Sequence, residues 1–157
     1  MNIKILAVGK LGEKFWADAV SEYSKRLSRF CKFQIEEIPD LKNPDLSSEA
    51  LCAKTVEKEG EAILQRVKDE MLVALCIEGK QMSSKSFCSI IEEASMKKGK
   101  LTFVIGGSLG LSQAVKDRAD ICLSMSEMTF PHNLARVMLV EQIYRAYTII
   151  NNQNYHK

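Results

Sequence analysis

The chain has 157 residues, 46% of them apolar and 27% charged, and its 22 Lys plus Arg against 20 Asp plus Glu leave a net charge of +2. That length suits one domain over residues 1–157 with a sizeable core, and no apolar run nears the roughly 18 residues that a bilayer crossing needs. So small a net charge argues against binding nucleic acid through bulk electrostatics; any such contact must come from locally clustered cations.

Ile3 to Val8 is an apolar run closed by Gly9, the pattern of a strand buried on both faces and too short for a signal peptide. Phe15, Ala19, Tyr23, Leu27 and Phe30 follow at helical spacing, which predicts an inward stripe. Phe33 to Ile38 reads as the second strand, and Pro39, Asn43, Pro44 and Asp45 as a turn-rich connection. Ser47 or Ser48 can cap a charged helix reaching about Lys68, which Gly60 weakens by roughly 1 kcal/mol relative to alanine. Leu72 to Ile77 is the third strand; a helix from about Ser84 to Lys97 follows, and Gly99 ends it. Leu101 to Ile105 is the fourth strand, then come a glycine-rich loop, a short helix from Ser112 to Arg118, and a fifth strand, Ile121 to Ser124. After Pro131 a long amphipathic helix carries the stripe Leu134, Val137, Met138, Tyr144. Strands alternating with helices predict an α/β domain, a mostly parallel sheet with helices on both faces.

Five cysteines without a C-x-x-C pair, three of them in apolar patterns that predict burial, read as reduced thiols of a cytoplasmic protein with no zinc site and no other metal. In open α/β sheets ligands settle beyond the carboxyl ends of strands. Three such ends stand out here: Leu75 to Gly79, Gly106 to Gly110, and the segment Met125, Ser126, Glu127, Met128, Thr129, Phe130. The glycine loop has Ser108 where a dinucleotide fingerprint needs glycine, and no phosphate-loop G-K-[ST] occurs. Taken alone, that loop reads equally well as a tight turn, and the methionine-rich segment as core. Both histidines, Arg136, Arg145, Tyr144, Tyr147, Tyr155 and Lys157 fall in the last part of the chain. An aromatic, an imidazole and an ammonium in the last three places predict a docked tail.

Val-Ile-Gly-Gly-Ser-Leu-Gly-Leu-Ser (104–112), Leu-Ser-Met-Ser-Glu-Met-Thr-Phe-Pro-His (123–132), Glu-Gln-Ile-Tyr-Arg-Ala (141–146) and the terminal Tyr-His-Lys together resemble the ribosomal RNA large subunit methyltransferase H family. The likeness extends to Leu-Ala-Val-Gly-Lys near the start and Ile-Glu-Gly-Lys at 77–80. It implies a SPOUT-class enzyme with a C-terminal trefoil knot that uses S-adenosylmethionine to methylate N3 of a pseudouridine in 23S rRNA. It further implies a homodimer with composite sites, and cofactor contacts at Leu75, Gly106 and Met125 to Phe130. Asn154 stands where that family has proline, which removes a fixed φ before the tail.

Under that resemblance Arg145 and Lys157 are the cations that stabilise a deprotonated N3, His156 is a proton acceptor, and Tyr155 stacks on the target base. The alternative for Arg145 is an i,i+4 ion pair with Glu141. His132 and Arg136, four apart and so on one helical face, are the candidate RNA phosphate contacts. An assembled ribosome fits the small net charge as substrate, through shape more than charge. The rival expectations are a noncatalytic RNA-binding module of the same fold and a different transferase with an adenine-containing cofactor.

Overall fold

The computed structural model describes residues 1–41 and 45–155. In chain order the elements are β1 (Asn2–Val8), α1 (Lys14–Leu27), β2 (Lys32–Ile38), α2 (Glu49–Leu64), β3 (Met71–Gln81), α3 (Ser84–Lys97), β4 (Lys100–Ile105), α4 (Gln113–Arg118), β5 (Ile121–Ser124) and α5 (His132–Ile150). The strands form one sheet in the order β2-β1-β4-β3-β5, and every pairing is parallel. The expected α/β architecture with helices on both faces is what the chain adopts. Part of the turn-rich connection, at Asn43 and Pro44, lies outside the described residues.

Local chemistry sets the helix ends. Ser48, Ser83 and Ser112 cap α2, α3 and α4, each side-chain oxygen accepting the backbone N–H three residues on. Gly99, at φ +63°, ends α3 with its N–H donating to Ala94 O at 2.8 Å. Helix α2 stops at Leu64, short of the expected Lys68, because Arg66 N–H closes a tighter turn on Ile63 O and Lys68 N–H donates to the Glu70 carboxylate.

Alternation along the strands divides the core in two. Ile3, Ile5, Val73, Leu101, Phe103 and Ile105 pack against Val20, Leu27, Phe87, Ile90, Leu139 and Ile143 of α1, α3 and α5. Leu6, Val8, Leu72, Ala74 and Val104 point the other way, onto Ile63 of α2 and Val115 of α4.

Three expectations are corrected, and Gly60 gains a reason: it is buried where α2 meets α4, and a Cβ there would stand 2.1 Å from Ser112 Oγ, so the close approach of the two helices needs a glycine at this place in α2. Phe15 leaves the α1 stripe and is 60% exposed, since it sits in the first turn of α1 and the helix is buried only from Val20 onward. All five cysteines are free thiols, but only Cys88 is buried; Cys31, Cys52, Cys76 and Cys122 are half-buried. Strand β3 continues past Ile77 to Gln81 and does something periodicity does not show: Leu123 of β5 pairs with Leu75 and again with Lys80. The chain between them crosses β5 so closely that a Cβ on Gly79 would lie 2.7 Å from the backbone of Cys122 and of Leu123. Glycine is required at that crossing by contact, not by an unusual φ.

Candidate functional site

The carboxyl ends of β3, β4 and β5 open into a cleft of 790 Å³. Its apolar walls are Leu75, Ile105, Leu111 and Leu123, and two loops complete it, Gly106–Gly110 and the segment after Ser124. Both loops are shaped by their own backbones. Gly110, at φ +84°, donates its N–H to Gly107 O at 3.1 Å, and a Cβ on Gly106 would stand 2.6 Å from Gly110 O. The hairpin-like turn therefore closes only with hydrogen at Gly106. In the second loop Ser124 Oγ donates to Ser126 O at 3.0 Å and Met128 N–H donates to Ser126 Oγ at 3.1 Å, so the chain folds back on itself.

The residues expected at this site separate cleanly. Leu75, Gly106, Met125, Ser126, Met128, Thr129 and Phe130 line the cleft, as does His132, in the first turn of α5. Glu127 is exposed and does not line the cleft. Sequence reasoning missed Lys116, which reaches the rim from α4 and pairs with Glu78; its ammonium, donating a hydrogen bond, holds the Glu78 carboxyl below the ordinary range. Missed too was Cys76, whose thiol is pushed up to about 11, first by burial and then by its neighbour Cys122. No periodic signal marks either residue, since Lys116 comes to the rim from α4 through its pair with Glu78, 38 residues earlier, and Cys76 meets Cys122 only where β3 and β5 come together.

Arg136 is corrected. Expected beside His132 on a phosphate-contacting face, it has no exposed surface. Its Nη1 donates to Glu37 Oε1 at 2.7 Å and its Nη2 to Gly9 O at 3.0 Å, tying α5 to the ends of β2 and β1. A guanidinium so enclosed is held by its ion pair and cannot reach a phosphate.

At the far end of α5 a second cluster forms, and none of it lines the cleft. Arg145 donates from Nε and Nη2 to Glu141 Oε1 at 3.0 and 2.6 Å, so the i,i+4 pair exists. Tyr155 Oη donates to the same oxygen at 3.2 Å, and Arg145 lies 4.8 Å above the Tyr155 ring. Tyr144 meets that ring edge-on at 4.9 Å. Burial, then the neighbouring Tyr23 and Glu141, raise the Tyr155 phenol well above its ordinary value, so it stays a neutral donor. Tyr155 is thus docked on the helix; His156 and Lys157 lie outside the described residues. Between cleft and cluster runs a groove of 410 Å³ with Tyr23, Met82, Phe87, Met138 and Glu141 in its lining, and Leu123 to Met125 form the wall it shares with the cleft.

A cleft with aliphatic walls, two loops of exposed backbone and one ion pair at the rim suits a ligand with a flat heteroaromatic ring and a polar tail. Among the described residues no group of three or more His, Cys, Asp or Glu is placed to hold a metal, and no helix is long and apolar enough to cross a membrane.

A family model described as "Predicted SPOUT methyltransferase" matches residues 1–156. The chain is 52% identical over 159 aligned positions to "Ribosomal RNA large subunit methyltransferase H 1" of Clostridium perfringens (strain SM101 / Type A), covering 100% of both. It is equally 52% identical to "Ribosomal RNA large subunit methyltransferase H" of Limosilactobacillus reuteri (strain DSM 20016), again over 100% of each. Among solved structures, a probable methylase family protein from Haemophilus influenzae Rd KW20 superposes with a TM-score of 0.52 at 15% identity, over 96% of this chain and 66% of that one. That last likeness concerns the fold.

Proposed function

The chain belongs to the ribosomal RNA large subunit methyltransferase H family of SPOUT methyltransferases, and from that premise we propose that it methylates N3 of a pseudouridine in 23S rRNA. The donor is S-adenosylmethionine, the substrate the assembled ribosome, the compartment the cytoplasm, and residues 1–157 form one domain. The observation that carries this reading is the full-length 52% identity to relatives of that name, joined to a cleft of matching chemistry.

The cleft fits the donor. Leu75, Ile105, Leu111 and Leu123 offer aliphatic faces for an adenine, and the backbones of 106–110 and 125–130 offer donors and acceptors for its edge and for a ribose. When bound, S-adenosylmethionine supplies an electrophilic methyl group on a sulfonium. The chain's own residues have the remaining tasks: to exclude water, to bring N3 into line, and to remove its proton.

An N3 anion needs positive charge nearby, which Arg145 and Lys157 supply, with His156 taking the proton and Tyr155 stacking on the base. Glu141 orients Arg145 for this by holding both Nε and Nη2. Because Arg145 and Tyr155 do not line the cleft of their own chain, the protein works as a homodimer in which one protomer's tail completes its partner's cleft. The half-buried Leu134, Val137, Met138 and Tyr144 of α5 and the groove beside them supply the contact surface. The crossing of residues 75–80 over β5 supports the trefoil knot of that family.

Incubation with labelled S-adenosylmethionine and ribosomes that lack the modification, followed by nucleoside analysis, tests the whole reading. The expected product is one N3-methylated pseudouridine in the large-subunit RNA. Label in another nucleoside, or none, overturns it.

A further inference from the structure

We infer that the corner between β1 and α1 is a stacking platform for RNA: Phe15 and Trp16, flanked by Lys10 and Lys14, take an unpaired base beside the one that enters the cleft. The inference rests on the rRNA methyltransferase reading and adds a second contact surface to it.

Phe15 has no place in either core and is 60% exposed, while Trp16 behind it is half-buried, the ring centroids 4.6 Å apart at 50°. A large aromatic left outside the core in the first turn of a helix wants a flat partner. Lys10 and Lys14, close by in the chain, are exposed, and neither joins an ion pair among the described residues, although Glu13 stands between them. Gly9, at φ +88°, turns the chain at the carboxyl end of β1, and His132 Nε2 lies 3.7 Å from where a Cβ on Gly9 would stand. His132 lines the cleft. The loop that leads into the platform therefore adjoins the cleft at His132.

The corner is also held in place. Arg136, wholly buried, donates to Gly9 O at 3.0 Å and to Glu37 Oε1 at 2.7 Å; the same Glu37 oxygen accepts Leu11 N–H at 3.0 Å, and Gly9 N–H reaches Ile38 O at 2.9 Å. Thus the residue withdrawn from direct RNA contact is the positioning residue of the loop that leads to the platform. The chemistry calls for such a surface. A base taken out of its stack to reach a deep cleft leaves its neighbour with an open face, and an aromatic side chain at the mouth restores that stack whatever the base.

Trp16 is the only tryptophan in the chain, so its emission reports the platform directly. A fluorescein-labelled, uridine-rich RNA hairpin is titrated into the full-length protein, following anisotropy for binding and Trp16 emission for stacking. Binding should quench Trp16, whereas S-adenosylmethionine alone should not. Phe15→Ala should raise the dissociation constant for the hairpin and the KM for ribosomes by roughly tenfold, with cofactor affinity unchanged. Phe15→Tyr should restore both, and Phe15→Leu should not. A rise in anisotropy with unaltered Trp16 emission, or Phe15→Leu indistinguishable from wild type, overturns the platform. So does a fall in light-scattering mass on Phe15→Ala, which makes the patch a contact between protein copies. Wild-type protein that leaves ribosomes unlabelled overturns the functional reading instead, and the Trp16 response still judges the platform.

Discussion

The wall of the cleft is mostly backbone and aliphatic carbon, held by glycines at Gly79, Gly106 and Gly110, whereas the far end of α5 is crowded with large side chains that hold one another. At the crossing and in the glycine loop a single added carbon would meet main chain at 2.6 to 2.7 Å. In the α5 cluster one Glu141 oxygen serves Arg145 and Tyr155 together, and two tyrosine rings meet edge to face. The first region is fixed by close contact and tolerates no added bulk. The second is fixed by exchangeable pairings, which a partner protomer or an RNA base can replace at modest cost. One region is suited to holding a small donor rigidly, and the other to assembling around a macromolecule.

The largest effect should come from breaking each region separately and then mixing them. Gly106→Val should abolish cofactor binding in calorimetry by forcing the loop off Gly110 O. Deleting Tyr155 to Lys157 should abolish methylation while leaving cofactor affinity within about twofold. Mixed dimers of these two dead variants should regain activity, since one of their two sites then has an intact cleft and an intact tail from different chains. If the mixture stays dead while both proteins bind each other, cleft and tail act within one protomer.

Next in size, Gly79→Ala should destabilise the fold by about 3 kcal/mol in urea melts, because the added methyl meets main chain on β5 and no side chain can swing aside. An unchanged midpoint would show that the crossing has slack. A smaller effect sharpens the cleft boundary. The Cys76 thiol, raised to about 11, should react slowly with iodoacetamide at neutral pH and faster as pH rises toward that value. Bound S-adenosylmethionine should slow the reaction further while leaving Cys31, on the α5 side, as it was. Equal protection of both would blur the two regions into one.

The smallest effect lies beneath the glycine loop, where Glu59 Oε2 would stand 3.3 Å from a Cβ on Gly107. Burial, and the negative charge of Asp40, raise its carboxyl above the ordinary range. The folded state therefore holds that proton more tightly than the unfolded chain, and stability is lost as pH rises through the carboxylate range. Glu59→Gln should recover roughly 1 kcal/mol or less at neutral pH, with the gain vanishing in acid; a gain that persists at low pH would point to packing instead.

Much of the fold was legible because apolar runs closed by glycine alternate with capped amphipathic helices, so the five strands and their order along the chain could be read directly. Their order in space could not. Nothing in the run Leu101 to Ile105 says that β4 inserts between β1 and β3. The cleft was legible through Leu75, Gly106 and the Met125 to Phe130 segment, since strand ends carry ligands in such sheets. Arg136 was misread for a definite reason: its partner Glu37 lies 99 residues earlier, and a charged residue four places from His132 looks like surface until that partner is known. Phe15 misled in the opposite sense, because a helical stripe does not tell at which turn the helix first meets the core.

The double pairing of Leu123 has one more consequence, for the order of events in folding. Strand β5 lies against β3 at Leu75 and again at Lys80, so the stretch between them is a bracket that spans β5. The bracket is synthesised first, and β5 must then pair with both of its ends. Local contacts can complete α1 and α3 early, but this double pairing depends on distant parts of the chain meeting, and such pairings are slow. The same bracket then acts on the finished molecule: the segment after Ser124 that walls the cleft leaves a strand held at two places, so that wall cannot shift without breaking strand pairing, which ties the lifetime of the binding site to the lifetime of the fold.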